Sequence, residues 1–205
     1  LSLRRQRQMC IRDSFLIKRR IAGKVMVLGE RYLSTEQDTT FLARGFAEAL
    51  SRLDQSRLLI FLEGELGTGK SFFVRAFLRA LGCSGTIKSP TYSYLESYDT
   101  HKGTVNHFDL YRFSQALQWY EFGFDEVIAT SDINLIEWPQ QIASLKLAQD
   151  LSFHFRYKNE GRSVLIASYS KKGEELRKAQ YEKNKAQTDL ADNCRSFFIK
   201  PYSCE

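Results

Sequence analysis

The sequence predicts an α/β fold of three layers, in which helices cover a mostly parallel central sheet that ends in a C-terminal antiparallel hairpin. Three observations predict it. Leu58-Leu59-Ile60-Phe61-Leu62 is wholly apolar, the composition of a strand buried on both faces of a parallel sheet. It runs into Gly64-Glu65-Leu66-Gly67-Thr68-Gly69-Lys70-Ser71, the G-x-x-x-x-G-K-S spacing of a phosphate-binding loop, and then into 71–78, where apolar residues recur at helical spacing. Leu151 to Tyr157 and Ser163 to Tyr169 alternate apolar and polar residues around Asn159-Glu160-Gly161, the pattern of a hairpin. Strand, glycine loop and helix in that order make the expected fold P-loop NTPase-like.

The remaining elements follow from local pattern. Thr39 to Leu50 has helical apolar spacing with Ser34 or Thr35 as N-cap, so a helix is expected before the first strand. Gly82 ends the helix after the loop. Two β-type segments, Thr91 to Tyr98 and Val105 to Tyr111, precede a short helix at Gln115 to Phe122. Ile133 to Ile136 is a buried strand that ends in Glu137 and is stopped by Pro139. Lys171 to Ala191 is rich in Lys, Glu, Gln and Ala, so 171–205 is expected to be a charged extension, helical and exposed or disordered.

A chain of 205 residues with 43% hydrophobic content has room for one domain, expected over 33–170. The net charge of +6 invites a nucleic-acid reading until its location is considered. Residues 1–20 hold seven of the 30 Lys/Arg and one of the 24 Asp/Glu, which leaves the rest of the chain neutral. Arg4 to Asp13 also matches a translated sequencing adaptor, so 1–32 is expected to be a tail, disordered or a gene-model artefact. No apolar run reaches the length of a membrane span, and Cys10, Cys83, Cys194 and Cys204 form no C-x-x-C pair. These features point to a soluble, cytoplasmic protein without a membrane partner, a zinc site or structural disulfides.

The loop residues have a chemical rationale. Gly64, Gly67 and Gly69 let the backbone between Glu65, Leu66 and Thr68 turn its N–H groups inward, an anion nest at a helix N-terminus. Lys70 adds a positive charge for the β- and γ-phosphates, and Ser71 offers a hydroxyl for Mg²⁺. Two acids are candidates to complete the site. Glu137 ends a parallel strand, as a Walker-B acid does, and Asp109 shares a strand face with His107 and Tyr111. Either acid could equally face water. His107 could orient Asp109 or occupy a polar pocket, and Trp138 could touch nucleotide or partner, or simply pack.

Four segments taken together, Gly64 to Ser71, Lys88-Ser89-Pro90-Thr91-Tyr92, His107-Phe108-Asp109-Leu110-Tyr111-Arg112 and Ile136-Glu137-Trp138-Pro139, resemble in order and spacing the TsaE (YjeE) family. The resemblance covers about 33–170. It implies an ATPase, dependent on Mg²⁺ and slow without partners, needed for N6-threonylcarbamoyladenosine in tRNA. It further implies that ATP turnover resets the TsaD and TsaB proteins, so that tRNA is met only through their complex. By the same resemblance Ser71 and Glu137 associate with Mg²⁺, and Lys70, Asp109 and Glu137 are catalytic. Ser89, Pro90 and Thr91 form a switch-like segment, and Thr40 and Arg162 flank the adenine. A small-molecule kinase shares the loop but normally adds an arginine-bearing lid, which 82–133 lacks. An RNA-binding module is disfavoured by the neutral body.

Overall fold

The computed structural model describes residues 17–21, 24–54 and 57–182. In chain order these form β1 (Ile17–Ile21), β2 (Lys24–Leu33), α1 (Glu36–Arg52), β3 (Leu58–Gly64), α2 (Lys70–Ala80), β4 (Leu95–Thr100) and β5 (Gly103–Asp109). There follow α3 (Gln118–Glu121), α4 (Phe124–Thr130), β6 (Ile133–Glu137), a 3-10 segment (Pro139–Leu145), β7 (Leu151–Lys158) and β8 (Gly161–Ser168). A last helix, α5, occupies 171–182.

All eight strands join one sheet in the order β1-β2-β8-β7-β3-β6-β5-β4. Its centre is parallel: β3 lies between β6 and β7, and β5 pairs with β6. The margins are antiparallel, through β4 on β5 and through the β7–β8 hairpin with β2 and β1 beyond it. The expected fold class is therefore the observed one, with a wider antiparallel margin than the hairpin alone.

Several boundaries differ from expectation. Two strands, not a helix, come first, and residues 28–33 pair with β8, so the sheet begins ahead of residue 33. Val25-Met26-Val27-Leu28 is the apolar run that carries β2, next to a basic stretch that dominates the composition. β4 starts at Leu95 because 91–93 form a turn, in which Tyr94 N donates to Pro90 O at 2.7 Å. The short helix shrinks to Gln118–Glu121, since Gln118 Oε1 accepts from the N–H groups of Ser114 and Gln115 and holds the preceding residues in a turn. Of the expected tail at 1–32, residues 17–21 and 24–32 are strand, while 1–16 and 22–23, like 183–205 of the expected extension at 171–205, lie outside the described residues.

Local chemistry fixes α1. Thr35 is its cap: Thr35 Oγ1 accepts from Asp38 N at 3.2 Å while Asp38 Oδ2 accepts from Thr35 N at 2.9 Å. Such a cap contributes about 1 kcal/mol. Asp38 gains further bonds from Ser34, which together hold its carboxyl below its usual pKa despite some burial.

Apolar packing covers both faces of the sheet and makes the third layer. On one face Phe46 of α1 and Phe73 and Phe77 of α2 pack on Ile60, Leu62, Phe153 and Phe155. Phe73 and Phe46 both meet Phe153, at centroid separations of 4.8 and 4.9 Å. On the other face Phe108, Leu110 and Ile136 pack under Phe113, Trp119, Phe124 and Ile142. Each such fully buried side chain contributes roughly 1.5–3 kcal/mol. Because Phe73 lies one turn into α2, this packing also fixes the helix N-terminus at the end of β3. Leu176 of α5 joins the first cluster, so the helical start of the C-terminal extension is docked. Among the described residues no helix is long and apolar enough to cross a membrane.

Candidate functional site

Parallel strands deliver their C-terminal ends to one edge of the sheet, where open α/β sheets bind ligands. Here β3 ends in the glycine loop, while Asp109 and Glu137 end β5 and β6 and are directly paired in register. Leu62 is in turn the register partner of Glu137, which places both acids beside the loop.

Two glycines of the loop are required by their surroundings. Gly64 has φ of +134°, and a Cβ there would stand 2.3 Å from the backbone oxygen of Phe155 on β7. Gly67 has φ of +77°, and its Cβ would meet the Tyr157 hydroxyl at 2.7 Å. The loop is braced from within and without. Thr68 Oγ1 donates to Glu65 O at 2.8 Å, and Tyr157 OH donates to Leu66 O at 2.9 Å. Arg162 Nη2 reaches Gly67 O at 3.3 Å. No side chain caps α2 at Gly69, and no acid occupies its first turn, so its N–H groups remain directed at the cleft.

Lys70 sits inside this frame. Its Nζ donates to Gly64 O at 2.8 Å and Glu65 O at 2.9 Å, and stands 4.1 Å from the centre of the Trp138 ring. Burial lowers its pKa below the ordinary lysine value, although Glu137 and Asp109 favour the charged form. Trp138 adopts left-handed backbone (φ of 60°) just ahead of Pro139, a strained conformation for a bulky residue. That turn aims its ring over Lys70 and against Tyr111, 5.0 Å away. Trp138 thus packs against Tyr111 while lining the cleft beside Lys70.

Both oxygens of Glu137 are engaged. Ser71 Oγ donates to Oε2 at 3.1 Å, and His107 Nε2 lies 2.8 Å from Oε1. The buried Nδ1 of His107 has no hydrogen-bond partner. His107 thus braces Glu137 and not Asp109, because residues 107 and 137 are diagonal neighbours on one face of adjacent strands. Asp109 is held separately: Thr91 Oγ1 donates to its Oδ2 at 2.7 Å, and Tyr111 N donates to Oδ1 at 3.1 Å. The Ser89–Thr91 segment is therefore hydrogen-bonded to an acid at the strand ends.

These groups border a cleft of about 390 Å³, lined among others by Gly67, Gly69, Lys70, Ser71, Asp109 and Glu137. Arg162 and Trp138 line it as well, but Thr40 does not. Thr40 Oγ1 donates to Glu36 O, and the residue borders an adjoining groove with Arg44, Arg75 and Arg79. Glu36, one turn earlier on α1, lines the cleft in its place. Sequence reasoning missed Tyr157, Glu36 and Arg75. Only Tyr157 had a signal, as the cross-strand partner of Arg162 near the hairpin turn.

The family model described as "Threonylcarbamoyl adenosine biosynthesis protein TsaE" matches residues 33–164. The chain belongs to the TsaE family. Among its relatives, a Haemophilus influenzae protein named tRNA threonylcarbamoyladenosine biosynthesis protein TsaE is 28% identical over 147 residues, 71% of this chain and 93% of that one. Proteins of the same name from Rickettsia felis and Rickettsia bellii are 37% and 34% identical over 114 and 121 residues, 55% and 58% of this chain and 64% and 81% of theirs. The crystal structure of Bacillus subtilis YdiB superposes with a TM-score of 0.65 at 20% identity, covering 78% of this chain and 99% of that one. Membership of the TsaE family and the P-loop NTPase fold agree, since the matched span contains the loop, both acids and the bracing residues Tyr157 and Arg162.

Proposed function

We propose that this chain is an ATPase of tRNA N6-threonylcarbamoyladenosine formation, working in the cytoplasm on a complex of TsaD and TsaB. The observation that carries the proposal is the Ser71–Glu137 pair, 3.1 Å apart at the mouth of the loop with Asp109 in register beside it. The names of the relatives support the pathway, and nothing among them favours a small-molecule kinase.

The donor set suits Mg²⁺. A hydroxyl and a carboxylate oxygen are hard ligands, and among the described residues there is no group of three or more His, Cys, Asp or Glu able to form a protein cage. Mg²⁺ characteristically takes one or two protein oxygens and completes its shell with phosphate and water. Ser71 and Glu137 would hold it, and when bound it supplies charge neutralisation at the phosphates.

The chain's own groups do the rest. The N–H groups of 64–71 and the Lys70 ammonium bind the phosphates, with Lys70 already within reach of the loop that wraps them. Asp109, oriented by Thr91 and Tyr111 N, keeps lone pairs that direct a water at the γ-phosphorus. Attack by that water breaks the bridging bond to the β-phosphate and yields ADP and inorganic phosphate. The Ser89–Thr91 segment senses the outcome through Asp109, which gives TsaD and TsaB a nucleotide-dependent surface to read. As the resemblance to the family implies, turnover is expected to be slow until the partners bind.

Complementation tests the reading. In bacteria depleted of their own TsaE, the full chain should restore the modified adenosine in tRNA, and Lys70→Ala should not. Failure of the wild-type chain to restore it, or phosphate transfer from ATP to an added metabolite in preference to water, would overturn the proposal.

A further inference from the structure

Away from the nucleotide cleft, two arginines line one small cavity. Arg31 extends from β2, and Arg177 and Gln180 lie one turn apart on α5. With Gly29, Glu30, Ile166 and Tyr181 they line a small cavity of about 20 Å³ between the sheet and that helix. Arg31 Nη2 donates to Gln180 Oε1 at 2.9 Å. Gln180 is almost completely buried, and its amide orientation is set by that bond, since the reversed amide would oppose two donors.

Among the described residues neither guanidinium is ion-paired with a carboxylate. Glu30 turns to Lys158 at 3.2 Å, and Glu174 turns to Lys178 at 2.8 Å. Arg177 Nε is buried with no hydrogen-bond partner. Burial lowers the pKa of both arginines; Tyr181 raises that of Arg31 and Arg177 lowers it further, while Glu174 raises that of Arg177. Guanidinium groups stay charged in proteins, so two positive charges, offset in part by Glu174, stand beside the unused buried Nε of Arg177.

We propose that Arg31, Arg177 and Gln180 frame a binding site for a single small anion of halide size, which locks α5 onto the sheet. The cavity decides the size of the ligand: it accommodates about one water-sized particle, too little for a phosphate or a nucleotide. The anion accepts from Arg177 Nε and from the Arg31 guanidinium, while Gln180 holds Arg31 in place. Both Arg31 and α5 lie outside the span matched by the family model.

Bromide is the probe. Crystals of the full chain grown in sodium bromide should show an anomalous peak between Arg31 and Arg177. In solution, replacing gluconate by chloride at constant ionic strength should raise Tm, by roughly 3–6 °C at ten times the dissociation constant. Arg177→Met should abolish that increment, whereas Lys178→Met, on the same helix but outside the cavity, should retain it. Gln180→Leu, which leaves both charges, should reduce the increment and so guards against a misfolded Arg177 variant. Absence of the bromide peak, or an equal chloride increment in Arg177→Met, overturns the proposal.

Discussion

Replacing His107 by leucine removes the one side chain among the described residues that holds Glu137 Oε1, and leaves the shape of the site nearly intact. The two atoms are 2.8 Å apart, with His107 fully buried and Glu137 2% exposed, so water cannot take over the bond. A hydrogen bond to a charged group contributes about 1.5–3 kcal/mol, and a buried carboxylate oxygen left unmatched falls toward the upper part of that range. For a domain of this size each kcal/mol moves Tm by about 2–4 °C, so His107→Leu should lower it by roughly 3–12 °C. Urea denaturation of the two single variants, His107→Leu and Glu137→Leu, and of the double variant isolates the pair. The double variant should be about 1–3 kcal/mol more stable than the sum of the two singles implies. A coupling within 0.5 kcal/mol of zero, on the order of ordinary additivity error, would refute the assignment of His107 as the brace of Glu137. The same variant should weaken Mg²⁺-dependent ATP turnover more than nucleotide affinity, because the loop and Lys70 are untouched.

Gly64→Ala should destabilise by about 2–4 kcal/mol, since its Cβ meets the Phe155 carbonyl in a parallel ladder that has no slack, while Gly85→Ala, with open space around it, stays within about 0.5 kcal/mol. Equal melting curves for the two would remove the steric explanation. Tyr157→Phe deletes the brace on Leu66 O and should cost about 1 kcal/mol together with a several-fold loss of ATP affinity; unchanged affinity would mean the loop holds its shape without it. Because burial lowers the Lys70 pKa, ATP affinity should decline with rising pH earlier than an ordinary lysine would allow, the charged form that binds phosphate being lost first. Calorimetric titration that is flat across the alkaline range would contradict this. Glu137→Gln should retain ATP binding and lose most Mg²⁺-dependent turnover.

The centre of the molecule was legible in the sequence because its constraints are local or periodic. Parallel strands such as Ile133–Glu137 are buried along their whole length, and that leaves an uninterrupted apolar run. The glycine loop has only one way to satisfy its spacing. The margins were less legible, since β2 owes its place to pairing with β8, from Leu33 with Arg162 to Leu28 with Ala167, far along the chain, and a basic neighbour masks its apolar run. The start of β4 was misplaced for a different reason: Thr91 and Tyr92 have strand composition, but Thr91 is drawn into a turn by its bond to Asp109. Tertiary demand at the site overrode local preference there.

The same logic explains which site residues a sequence can reveal. Lys70, Ser71, Asp109 and Glu137 are legible because each terminates an element whose type is itself legible. The residues that tune them are not, because their roles arise from register. His107 reaches Glu137 only because β5 and β6 run parallel with Asp109 opposite Glu137, which leaves residue 107 diagonal to 137. Tyr157 reaches the loop only because β7 passes Gly64 with Phe155 alongside, two positions before the tyrosine. A one-residue slip in either pairing would turn these side chains to the opposite face and leave the four recognisable residues in place. The register of four parallel strands, more than the loop sequence itself, therefore turns a generic phosphate cradle into a site with a braced acid and a loop fixed from the side.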